Sequence, residues 1–85
     1  MRLKILYFAR VRQIVGRGED QIDLPTEVKT VRELIDFLKV RDEACAAAFA
    51  DLRTIRVAVN KAHAALDADL AEAKEVAFFP PVTGG

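Results

Sequence analysis

Apolar and polar positions alternate from the start of the chain. Leu3, Ile5 and Tyr7 fall on one side and Arg2, Lys4, Leu6 and Phe8 on the other, which predicts a strand over residues 2–9. The first set faces a core, and the second turns apolar at Leu6 and Phe8, leaving sheet surface for a partner. The period then changes. Val11, Ile14 and Val15 at i, i+3 and i+4 predict a helical turn over residues 9–15, closed by Gly16. Ile22 and Leu24 alternate with acidic and amide side chains in a strand over 19–24 that stops at Pro25. Thr30-Val31-Arg32-Glu33 is a capping box, and Val31, Leu34, Ile35 and Leu38 continue from it as one apolar helical stripe. Residues 42–50 form a second, alanine-rich helix with Asp42 as its cap. Ile55, Val57 and Val59 then share one face of a strand over 54–60. Ala64-Ala65-Leu66 is read as a short fourth strand, Asp67 to Lys74 as a polar connection, and Glu75 to Phe79 as the last strand.

This order predicts an α+β fold with helices on one face of a mixed sheet, the plan of the ubiquitin-like β-grasp. In that plan the first and last strands are parallel neighbours in mid-sheet. Leu6 and Phe8 then share the helix-free face with Ala77 and Phe79, while Val76 and Phe78 join Leu3, Ile5 and Tyr7 in the core. Exposed aromatics of this kind mark a contact site. Residues 1–79 are expected to form the domain and 80–85 a flexible tail. Pro80 and Pro81 lack a backbone N–H and hold φ near about −65°, so they end sheet pairing and direct the chain outward. The six positions Pro80, Pro81, Val82, Thr83, Gly84 and Gly85 could then reach roughly 20 Å. Without a Cβ on Gly84 or Gly85, another protein can close around the end carboxylate. That is the form a tail takes when its carboxyl group is the working group.

Composition removes several function classes. There are 13 basic and 13 acidic side chains with no block of one sign, which argues against a nucleic-acid or acidic-membrane surface. No apolar run is long enough for a membrane span and no signal-peptide core follows Met1, so the cytoplasm is the expected location. A single cysteine, Cys45, has no partner for an internal disulfide. Set among alanines, it reads as structural and not as a sulfur-carrying thiol. His63 has no second His or Cys at ligand spacing, so no metal is expected, and a surface or interface role suits it better. Asp67, Asp69 and Glu72 read as a solvated loop. Gly16 and Gly18 lack the Lys-Ser/Thr of a phosphate loop, so the chain is not expected to bind ATP or another cofactor itself.

The stretch Glu75-Val76-Ala77-Phe78-Phe79-Pro80-Pro81-Val82-Thr83-Gly84-Gly85 resembles the terminal motif of the small, sulfur-carrying subunits of molybdopterin synthase, the MoaD family. Leu6-Tyr7-Phe8-Ala9-Arg10-Val11-Arg12, Val15-Gly16 and Ala58-Val59-Asn60 extend the resemblance over most of the chain. Two positions depart from it. Glu72-Ala73-Lys74-Glu75 replaces the family's Asp-Gly-Asp-Glu type of turn, and His63 stands where the family's partner patch has an aliphatic residue.

The resemblance implies a non-catalytic, sulfur-donating subunit. An E1-like enzyme spends ATP to adenylate Gly85, and a persulfide donor converts it to a thiocarboxylate. The tail, Pro80 to Gly84, then enters the large catalytic subunit and sulfur passes to cyclic pyranopterin monophosphate. Phe8, Arg12, His63 and Phe79 are the expected interface, and the implied assembly is a heterotetramer; Arg10, Arg12 and Lys61 are available to a partner's acidic rim or, alternatively, are solvated surface charges. Two alternatives also use the end glycine: a sulfur carrier for thiamine or cysteine synthesis, and a ubiquitin-like modifier joined to lysines.

Overall fold

The computed structural model describes residues 1–81; Val82, Thr83, Gly84 and Gly85 lie outside the described residues. Strand β1 (Arg2–Tyr7) leads into helix α1 (Ala9–Val15), followed by β2 (Glu19–Asp23), α2 (Val31–Arg41) and α3 (Glu43–Ala48). A single 3-10 turn (Leu52–Thr54) precedes β3 (Arg56–Val59), β4 (Ala62–Ala64) and β5 (Glu75–Phe79). The strands form one sheet in the order β2-β1-β5-β3-β4. β5 pairs in parallel with β1 and antiparallel with β3, so the last strand is held on both sides. Such a parallel neighbour requires a long crossover, which the helical segments supply.

The two faces of the sheet follow the pleat. Leu3, Ile5, Tyr7, Ile22, Val57, Val76 and Phe78 point to one face and are buried beneath Val11 and Val15 of α1, the α2 stripe Val31, Leu34, Ile35 and Leu38, and Cys45 and Ala48 of α3. Phe78 is the hub: its ring meets Phe49 edge-on at 4.8 Å between centroids and stacks beside Tyr7 at 6.5 Å. Aromatic pairs at these separations add to the energy of burial.

Local signals explain the element ends. The Thr30 hydroxyl accepts from the Glu33 N–H at 3.2 Å, and the Glu33 carboxylate accepts from the Thr30 N–H at 3.1 Å, so the predicted capping box opens α2. Gly16 closes α1 in the left-handed region at φ 89°. Asp42 caps α3 by accepting from the Ala44 N–H.

Several boundaries differ from the sequence reading. β1 stops at Tyr7, because Ala9, at φ 51°, turns the chain abruptly into α1. The third strand begins at Arg56, since the Asp51 carboxylate captures the Arg53 N–H and winds Leu52–Thr54 into a 3-10 turn. The fourth strand is Ala62–Ala64 and not residues 64–66. Asn60 and Lys61 both adopt positive φ, at 50° and 72°, which makes a two-residue hairpin turn and pairs Val59 directly with Ala62. The connection from Asp67 to Lys74 is less polar in effect than in composition, for it delivers Leu70 and Ala73 to the core. The Ala68 carbonyl of this connection and the Leu66 carbonyl just before it also accept from the Val31 and Arg32 N–H groups at the start of α2.

Candidate functional site

The face of the sheet away from the helices carries Phe8, His63 and Phe79 of the residues singled out from sequence. Cα pairing places Glu19, Leu6, Ala77, Ala58 and His63 in one row across all five strands. Beside this row, towards the end of β5, lie Phe8, whose N–H donates to the Phe78 carbonyl, and Phe79, paired with Arg56. Phe8 is 47% exposed. The perpendicular rings of His63 and Phe79 lie 5.5 Å apart. Ala58 and Ala77 are only 9% and 8% exposed, yet they do not belong to the main core; their small side chains sit low between Leu6, Phe79 and His63. The result is an apolar strip with a shallow floor and aromatic walls, of the kind that marks a contact surface.

Phe8, Phe79 and His63 are therefore brought onto one face, and Arg12 is not part of that group. Its guanidinium leans over Gly18 at the β2 side, so close that a Cβ there would meet the Arg12 Cζ at 3.3 Å. Ala58 and Arg56 complete the face and were missed in the sequence reading. Their signal was present, because the inward set Ile55, Val57 and Val59 leaves residues 56 and 58 to face outward. Among the described residues Arg10, Arg12, Arg56 and Lys61 form no ion pair.

The tail root is placed by β5. Pairing ends at Arg56 with Phe79, after which Pro80 and Pro81 are half-buried. Pro80 lines a cleft of about 20 Å³ with Arg10 and Ile14 of α1 and with Thr54. At the other end of β5, the Asn60 side-chain carbonyl accepts from the Lys74 and Glu75 N–H groups at 2.8 and 3.2 Å, while its amide donates to the Glu72 carbonyl at 3.1 Å. That clamp closes the turn at 72–75. The tail positions Val82 to Gly85 lie outside the described residues.

Cys45 is fully buried, and burial pushes its thiol up, as an inert structural thiol requires. A basic neighbour is nevertheless present, contrary to the local sequence: Arg17 lies close enough to favour the thiolate, but less strongly than burial opposes it. Arg17 donates through Nε to Asp20 at 2.8 Å and through Nη2 to Asp42, and its guanidinium carbon lies 5.9 Å from the Tyr7 ring centre. The Tyr7 hydroxyl donates to Asp20 Oδ2 at 2.9 Å. Burial by itself would raise the Asp20 carboxyl, but the hydrogen bonds from Arg17 and Tyr7 outweigh it and hold Asp20 below the ordinary range. The Arg17 hydrogen bond does the same for Asp42. Among the described residues no three His, Cys, Asp or Glu side chains gather as a metal-holding group, and no helix is long and apolar enough to cross a membrane.

A mixed five-stranded sheet with helices on one face, a central last strand and an apolar strip beside its end defines a ubiquitin-like β-grasp domain. The ThiS family matches residues 5–85. The chain is 37% identical over 83 residues to the molybdopterin synthase sulfur carrier subunit of Escherichia coli, covering 98% of this chain and 99% of that protein. Among solved structures, SAMP1 from Haloferax volcanii superposes with a TM-score of 0.76 at 29% identity, over 100% of both chains. A candidate molybdopterin converting factor subunit 1 from Pyrococcus furiosus superposes at 0.74 and 35% identity, over 96% of this chain and 99% of that one. The chain belongs to the ThiS family, in the group of molybdopterin synthase sulfur carrier subunits.

Proposed function

We propose that this chain carries sulfur as a thiocarboxylate on Gly85 and delivers it inside a molybdopterin synthase. A free carboxylate is a poor electrophile. An E1-like enzyme, using ATP, first makes the acyl adenylate; the outer sulfur of a persulfide donor attacks the same carbon as AMP leaves, and a thiol then cleaves the S–S bond of the acyl disulfide so formed, releasing the thiocarboxylate as that thiol and the donor sulfur become a disulfide. The loaded chain then docks on the large catalytic subunit through the strip around Phe8 and Phe79, with Pro80 to Gly84 threaded towards its active site. Two rounds of delivery furnish the dithiolene sulfurs on cyclic pyranopterin monophosphate. Substrate-binding and acid–base groups belong to the large subunit, and this chain needs no cofactor of its own.

The observation that carries the reading is the position of Phe79-Pro80-Pro81: a strand fixed on both sides leads directly into two prolines beside an exposed aromatic strip. The full-length match to sulfur carrier subunits supports it. Intact-mass measurement after incubation with the activating enzyme, ATP and a sulfur donor tests it. The expected gain is about 16 Da, one oxygen exchanged for sulfur. No gain with an enzyme set that loads another carrier would overturn the proposal.

A second reading, a modifier joined through Gly85 to lysines, draws support from the likeness to a small archaeal modifier protein. Isopeptide-linked adducts of this chain in its own cells, without a thiocarboxylated pool, would favour it over sulfur delivery.

A further inference from the structure

The direction in which the chain leaves the sheet is decided where β5 ends. Pro80 has no N–H with which to add a rung, so beyond the pair of Arg56 with Phe79 the ladder no longer holds the backbone and side-chain packing takes over. That packing is present. Pro80 and Pro81 are half-buried, and Pro80 lines a cleft of about 20 Å³, room for little more than one water molecule, with Val11 and Ile14 of α1 and with Thr54 and Ile55.

Most of this seat belongs to the folded body. Val11 and Ile55 are buried, and the Thr54 hydroxyl donates to the Asp51 carbonyl at 2.7 Å. Helix α1 is itself tied to β5. The Phe8 N–H donates to the Phe78 carbonyl at 3.0 Å, and Ala9, at φ 51°, then reverses the chain so that α1 packs against the last strand. Ile14 is the exception among the walls: it is 37% exposed and stands outside the core cluster. Folding makes little use of its side chain, and what it borders is Pro80.

The seat governs more than one residue. The Pro80 ring fixes φ at that position, Pro81 confines the ψ of Pro80 to the extended region, and the Pro81 ring fixes the next φ. From the cleft through Pro81 the chain is a short stiff lever, and its tilt follows how the Pro80 ring rests between Ile14 and Thr54.

Resting on the sulfur-carrier reading, we propose that Ile14 is a positioning residue for loading: by seating Pro80 it sets the heading on which the chain leaves the domain, so that a carrier docked on its activating enzyme presents Gly85 to the adenylating centre without a search over directions. Ile14 touches neither ATP nor the reacting carboxylate and acts only through Pro80. Fixing one such orientation in advance is worth about three- to tenfold in the rate of the docked carrier.

The test compares the full chain with Ile14→Ala, which opens the seat, and with Ile14→Val, which keeps a β-branched wall. Single-turnover adenylation, followed as pyrophosphate release with the activating enzyme in excess, gives a maximal rate for the docked carrier and a half-saturating enzyme concentration for docking. Ile14→Ala is expected to lower the maximal rate about three- to tenfold with half-saturation unchanged, and Ile14→Val to recover most of the loss. Carbon-13 relaxation at the Cα atoms of Pro80 and Pro81 is expected to show larger motion in Ile14→Ala than in wild type. Urea unfolding sets a temperature at which all the chains are folded, so that lost stability does not enter the rates. A maximal rate within about twofold of wild type for Ile14→Ala overturns the inference and leaves the sulfur-carrier reading intact. A loss confined to half-saturation also overturns it, since that outcome makes Ile14 a docking contact, and so does a lowered rate with unchanged relaxation at both prolines. No pyrophosphate release with wild type, from an enzyme that adenylates another carrier, overturns the sulfur-carrier reading and the inference with it.

Discussion

The two faces of this sheet are built from the same strands, residue by residue in alternation, yet they serve different ends. Leu3, Ile5, Val76 and Phe78 are wholly buried on the helix side, whereas Leu6, Phe8 and Phe79 on the other side keep part of their surface in water. One face spends its apolar area on folding, and the other, proposed above as the docking surface, leaves part of its apolar area in water. A shift of a single residue in register would exchange the two sets, so the β1–β5 alignment of Ile5 with Val76 and Tyr7 with Phe78 decides fold and function together.

Adjacent residues make the sharpest test of that contrast. Phe78→Ala removes the ring between Tyr7 and Phe49 and is expected to cost about 3–5 kcal/mol, a large part of the stability of a small domain, in urea unfolding. Phe8→Ala is expected to change stability by less than about 1 kcal/mol. Its affinity for the large subunit should nevertheless fall by about 2 kcal/mol, roughly 30-fold, in a titration. Equal losses of stability from both variants would erase the distinction between the faces.

A smaller effect concerns the edge of the buried face, where Arg17 ties β2 to the start of α3. Asp20 and Asp42 both have folded-state acidities shifted below the ordinary carboxylate range. Their contribution is therefore fully present above the unfolded-state value, near about pH 4, and is lost as pH falls through the lower folded values. Arg17→Met should lower the urea midpoint at pH 7, and the gap from wild type should close towards about pH 2. A gap that widens in acid would contradict the assigned sign. Smallest is Thr30→Ala, expected to cost about 1 kcal/mol by removing the α2 cap without altering partner affinity, since Thr30 lies on the helix layer.

Legibility in the sequence followed the range of the forces involved. The α2 cap, the Gly16 stop and the alternation in β1 and β5 are set by neighbours within four positions, and all were readable. The β3–β4 hairpin was displaced because a left-handed Lys61 is unusual, and the stabilising partner of its turn, the Asn60 clamp on residues 72–75, is distant in sequence. Leu70 reaches the core through a backbone link from its N–H to the Lys29 carbonyl, which no local period encodes. The same holds for Arg17. It meets Asp42 across 25 positions, so the surroundings of Cys45 could not be read from the alanines beside it. For the candidate site, Phe8 and Phe79 were legible from parity alone. Arg12 was grouped with them through family resemblance, and its lean over Gly18 depends on how α1 is tilted.

The parallel alignment of the first and last strands has a mechanical meaning. A pull on the chain beyond Phe79, directed along β5, slides that strand lengthwise against β1 and β3, so the hydrogen bonds of both ladders share the load instead of opening one by one. A domain strung in this way meets a load on its last strand with two ladders at once.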